Sequence, residues 1–82
     1  MERSAALARV IEVVAETLEV EPDTLSEATA YVADLEADSL DLVELLMAFE
    51  DAFEVEIPED DVAGIATIAQ TVDYVLAHAD DA

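Results

Sequence analysis

The chain reads as an all-α protein, a small bundle of three main helices plus one short helix. Three observations lead there. Apolar residues recur at helical spacing in three windows, positions 7–18, 42–53 and 68–76. The breaks between them carry Pro22, Pro58 and Gly64. The composition, 82 residues with 55% hydrophobic content and no Cys, supports one small core without disulfides or thiolate-bound metal. A single domain, 1–82, is expected, with a net stability of roughly 4 to 12 kcal/mol.

In the first helix Leu7, Val10, Ile11, Val14 and Leu18 form the apolar stripe, and Arg3, Arg9, Glu12, Glu16 and Glu19 fall off it. It is predicted to end near Leu18, because Pro22 biases Glu21 away from helical angles. A long connection follows from Val20 to Ala37. Its spaced apolar residues Leu25, Tyr31, Val32 and Leu35 are expected to pin it to the core. The second helix is predicted over Ser39–Phe53, with Leu42, Leu45, Leu46, Phe49 and Phe53 on one broad stripe. Leu40, Val43 and Met47 make a second, narrower stripe beside acidic residues. It is either an apolar surface or the far side of a helix packed on two faces. Pro58 is expected to open a short third helix, with Glu59, Asp60 and Asp61 favouring its positive end and Gly64 allowing a cap. Thr67 is placed to cap the last helix, whose stripe is Ile68, Val72, Val75 and Leu76, with Tyr74 at its border; residues 79–82 are expected to fray.

Charge narrows the function. Twenty-two acidic residues face two basic ones, Arg3 and Arg9, for a net charge of −20. Such a body attracts basic partners and repels nucleic acid and anionic membranes, although an acidic face also serves solubility or adaptation to a saline cytoplasm. Self-repulsion predicts an unfolding temperature that rises with salt or divalent cations; equal values at low and high salt would count against it. No apolar run approaches a membrane span and no signal-like stretch opens the chain, so a soluble, cytoplasmic, monomeric protein is expected. Catalysis is poorly provided for. His78 is the sole imidazole, placed on a solvated helix end, and paired carboxylates among so many acids are expected by chance. Asp34-x-Glu36-x-Asp38 resembles the opening of a calcium loop, but Ser39 stands where the turn needs Gly and Leu45 where a bidentate Glu is needed. No metal site is assigned.

The stretch that organises the rest is Asp38-Ser39-Leu40. Asp38 is a good N-cap, Asp41 adds an anion at the positive end of the helix dipole, and Ser39 falls in the first turn beside unpaired amides. A phosphate ester is well tolerated there. A helix-start serine needs no such role, and a wider match decides between these readings. Asp38-Ser39-Leu40-Asp41-x-Val43-Glu44-Leu45-x-Met47-x-x-Glu50, followed by Phe53 and Glu56-Ile57-Pro58, resembles the modification site and second helix of acyl carrier proteins. Thr29-Ala30-Tyr31-Val32-x-Asp34-Leu35 upstream, and Ile65-x-Thr67-Ile68 with Val72-Asp73-Tyr74-Val75 downstream, fall at the same family's spacings.

The resemblance implies a non-catalytic carrier. A phosphopantetheinyl transferase moves 4′-phosphopantetheine from coenzyme A to Ser39, flanked by Asp38 and Leu40. The arm then supplies the thiol that a chain without Cys lacks. It also implies growing acyl chains as cargo. Acyltransferases, ketosynthases, reductases and dehydratases of fatty acid biosynthesis would be met through their basic patches. Asp38, Asp41, Glu44, Glu50, Asp51, Glu59 and Asp60 would steer those encounters, with Leu40, Val43, Met47 and Ile57 making short-range contacts. Leu42, Leu45, Leu46, Phe49, Phe53, Ile57, Val62, Ile65, Ile68 and Val72 would line an interior that parts for an alkyl chain. Phe49, where relatives commonly carry a smaller aliphatic residue, is expected to shorten that cavity. Glu36 stands where relatives most often have Gly; if that position needs a positive φ, it costs on the order of 1 kcal/mol. A carrier of a polyketide or other secondary pathway fits the same motif. From other classes, an unmodified acidic interaction module or a divalent-ion buffer fits the charge.

Overall fold

The computed structural model describes residues 2–79, without the side chains of Glu59 and Ala79. The stretch 80–82, where fraying is expected, lies outside the described residues. In chain order come α1 (Arg3–Leu18), a 3-10 turn (Pro22–Thr24), α2 (Ser39–Phe53), α3 (Glu59–Val62) and α4 (Ile68–Ala79). α1 packs against both α2 and α4. Its buried residues are Ala6, Val10, Val13, Val14 and Ala15, while Leu7, Ile11 and Leu18 are half-buried. The helix needs two small buried residues because it faces two neighbours. Its end is closed by Glu19 in the left-handed region (φ 55), whose N–H donates to Ala15 O.

The 3-10 turn subdivides the long connection, since Pro22 fixes the first dihedral and Leu25 N–H closes on Pro22 O at 3.1 Å. Leu25 and Tyr31 are buried and Leu35 is half-buried. Val32 is not pinned: it is 59% exposed, a correction to the sequence reading. Residues 30–36 form a tight turn, in which Asp34 and Leu35 N–H both donate to Ala30 O and successive side chains diverge. Asp34 Oδ2 accepts from Ala30 N–H at 2.8 Å, so this carboxylate braces the loop. The loop also closes the start of α4. Thr29 O accepts from Ile68 N–H and Glu27 O from Ala69 N–H, each at 3.0 Å. Within α4 itself, Thr67 Oγ1 accepts from Gln70 N–H and Gln70 Oε1 from Thr67 N–H, a capping box of which only Thr67 was anticipated.

Arg3 pairs with Glu27 and Asp73, tying the start of α1 to the loop and to α4, and Arg9 pairs with Glu12 along its own helix. Two expectations about α3 need correcting. Pro58 is its N-cap, one residue ahead of the first turn, and the helix ends on Ala63 in the right-handed region. Gly64 has no positive φ; tight bonds from Gly64 N–H to Asp61 O and Ile65 N–H to Val62 O close the turn, so no left-handed cap is needed. α3 is held down by Tyr74, whose hydroxyl lies 2.8 Å from Asp61 Oδ2 and 3.2 Å from Glu56 O. The exposed His78 ring stacks on Tyr74 with centroids 4.1 Å apart.

Candidate functional site

The backbone before α2 goes from buried to exposed in one step. Ala37 is buried, with its N–H donating to Tyr31 O at 3.0 Å, and Asp38, Ser39 and Leu40 are all exposed. Asp38 is extended and caps α2: its Oδ1 accepts from Asp41 N–H at 2.9 Å, while Asp41 Oδ2 accepts from Asp38 N–H at 3.1 Å. This reciprocal box uses both carboxylates structurally. Among the described residues it leaves the amides of Ser39 and Leu40 without a protein acceptor. Ser39 is thus an exposed hydroxyl on the first residue of a fifteen-residue helix, beside free donors and the positive end of its dipole. Glu36 has φ 55, so the condition raised by the sequence is met: a side chain sits in left-handed backbone, which costs on the order of 1 kcal/mol relative to glycine.

Leu40, Val43 and Met47 stand clear of the core at 65, 50 and 62% exposure, which settles the second stripe of α2 as surface. Glu44 and Asp51 on the same helix are exposed, as is Asp60 on α3. Three expected surface residues are placed differently. Glu50 is half-buried, with its Oε2 accepting from Ile57 N–H at 2.9 Å, because the chain must be held where it leaves α2. Asp41 is half-buried within its capping box, and Ile57 is buried, reaching only the floor of a groove it shares with Val43, Leu46, Met47 and Val62. The side chain of Glu59 lies outside the described residues.

Inside, a void of about 30 Å³ is lined by Tyr31, Leu42, Leu45, Leu46, Phe49, Val62 and Ile65. Of the expected lining, Phe53, Ile57, Ile68 and Val72 do not reach it; they are core residues packed away from that space. Tyr31 was missed. Beside the void runs an open groove of about 420 Å³, sharing Tyr31, Leu42, Val62 and Ile65 with it and adding Val32 and the alanines 30, 33, 63 and 66. Those four alanines were its sequence signal.

A family model described as the phosphopantetheine attachment site matches residues 8–75, most of the chain. The chain is also 49% identical over 70 residues to a protein named acyl carrier protein from Zymomonas mobilis subsp. mobilis, covering 85% of this chain and 90% of that one. The chain belongs to the acyl carrier protein family. Carriers of this family are not catalysts, and their cofactor is covalently attached 4′-phosphopantetheine. The structure suits such a group. An exposed hydroxyl offers the point of attachment, and the amides of Ser39 and Leu40 offer hydrogen bonds to a phosphodiester. The cofactor supplies a thiol to a chain that has none. Among the described residues no helix is long and apolar enough to cross a membrane.

Proposed function

We propose that this carrier, as one domain, holds growing acyl chains as thioesters on a 4′-phosphopantetheine arm attached to Ser39 and presents them to enzymes of fatty acid biosynthesis. The observation that carries the reading is the exposure of Ser39 on the first residue of α2, within Asp38-Ser39-Leu40. The exposed stripe of Leu40, Val43 and Met47, with the exposed acids Glu44 and Asp51 on the same helix, supports docking on basic patches of the transferase and of successive acyl-processing enzymes. Charge sets the approach and a small apolar contact sets the dwell time; weak, fast encounters suit a protein that must visit many partners.

Intact mass tests this directly. Incubation with coenzyme A, magnesium and a broad-specificity phosphopantetheinyl transferase is expected to add one phosphopantetheine to the wild type and none to Ser39→Ala. A gain in Ser39→Ala moves the attachment elsewhere. No gain in wild type or in Glu36→Gly, starting from unmodified folded protein, removes the carrier function.

A further inference from the structure

α1 carries an apolar groove that its neighbours leave open. Ala8, Ile11 and Ala15 follow at i, i+3 and i+7, and with Pro22 of the 3-10 turn they line a space of about 450 Å³ rimmed by Glu12 and Glu16. No residue of α2 or α4 takes part, although α1 packs against both. The groove also shares no residue with Ser39, with the stripe of Leu40, Val43 and Met47, or with the spaces beside α2. Its floor is two alanine methyls around one half-buried isoleucine, so another backbone can come close. From Ala8 to Ala15 the floor runs about 10 Å at 1.5 Å per residue, two helical turns.

Charge decides what can lie there. Arg3 is committed to Glu27 and Asp73, Arg9 to Glu12, and no Lys or Arg follows Arg9. Glu16 on the rim, and exposed Glu21 and Asp23 on either side of Pro22, therefore have no Lys or Arg of this chain to meet. A second copy would set acid against acid at a net charge of −20, and an anionic membrane is repelled in the same way. A cationic segment gains twice, from the floor and from the rim. Apolar positions at i, i+3 and i+7 match the anchors of a helix laid along α1.

We propose that this groove is a second docking surface, which takes a short amphipathic helix of a protein partner. Its aliphatic side chains rest on Ala8, Ile11 and Ala15, and its Lys or Arg side chains meet Glu16 and the acids beside Pro22. Docking here does not depend on modification of Ser39 and uses none of the residues around it.

The test titrates nitrogen-15-labelled, unmodified protein with a synthetic peptide of leucine and lysine, its leucines at i, i+3 and i+7, and follows the amide shifts. A peptide of the same composition in scrambled order is the control. The contact is small, so exchange is fast and the shifts report occupancy. Saturable shifts are expected at Ala8, Ile11, Glu12, Ala15 and Glu16, and the scrambled peptide is expected to leave them unmoved. Ala8→Glu adds negative charge but puts it on the floor; it is expected to weaken binding at α1 about tenfold or more. Ala8→Gln repeats the test without the charge, should the first variant not fold. Glu16→Gln is expected to weaken binding about threefold. Shifts confined to α2, equal response to the scrambled peptide, or tighter binding by Ala8→Glu overturn the proposal. Shifts at these five amides on concentrating the protein alone place a second copy in the groove and overturn the cationic occupant.

Discussion

Phe49→Ala is expected to remove about 3–5 kcal/mol of stability, the usual range for deleting a buried aromatic side chain. For an 82-residue chain with roughly 4 to 12 kcal/mol to lose, that is about a quarter of the total or more. The site cannot easily collapse. Phe49 is fully buried between Tyr31, which three hydrogen bonds hold in place, and the rest of the core, so the space left behind stays largely open. Urea unfolding followed by circular dichroism should show the midpoint fall steeply, with high salt recovering part of it through screening. A loss below about 1 kcal/mol would mean that the neighbours do close the space.

Alkaline pH should destabilise the protein through its two tyrosines. Burial pushes the Tyr31 hydroxyl up to about 12, against a smaller downward pull from its bond with Thr71. Tyr74 also rises to about 12, through desolvation first, then its hydrogen bond to Asp61 and the charges of Asp61 and Glu50. The unfolded chain ionises near 10. Below that value both states keep their protons and the full stability is present. Between 10 and 12 the unfolded state releases protons that the folded state retains, so stability falls as pH rises. Tyr31 alone contributes on the order of 2–3 kcal/mol to that fall, while the more exposed Tyr74 is screened by solvent and adds less. Urea titrations at increasing pH measure the slope. Tyr31→Phe should flatten most of it at the expense of one hydrogen bond, about 1 kcal/mol, and leaves no orphan because Thr71 still donates to Thr67 O. A midpoint that holds steady through pH 11 would refute the tyrosine assignment.

Where a local signal and a tertiary demand agree, the sequence reading succeeds. α2 was legible to its ends because Asp38 caps it and its two apolar stripes are distinct, one buried and one surface. The loop from Val20 to Ala37 was legible only as pinned, since the carbonyls and amides it uses answer to partners on α4 that no local pattern displays. Val32 shows the limit of counting apolar residues: a tight turn points neighbouring side chains in different directions, and hydropathy does not say which turns inward. Glu19, Glu36 and Glu54 all occupy left-handed backbone, a conformation glutamate does not advertise, whereas the one glycine does not. At the attachment site, Ser39 and its exposed neighbours could be named from the motif. Phe49 could also be named from the resemblance, but its ring contact with Tyr31 could not, because Tyr31 reaches it from a loop eighteen residues away in sequence.

The bonds that join this loop to α4 also set the order in which the protein can be finished. Thr29 O, Glu27 O and the Tyr31 hydroxyl find their partners at Ile68, Ala69 and Thr71, about forty positions later. During synthesis the loop therefore emerges long before these partners, and α1 and α2 are complete while its bonds to α4 are still unmade. Closure waits for the last helix. Loop and α4 then settle in a single long-range step, so the backbone leading to Ser39 takes its final shape only once α4 has formed.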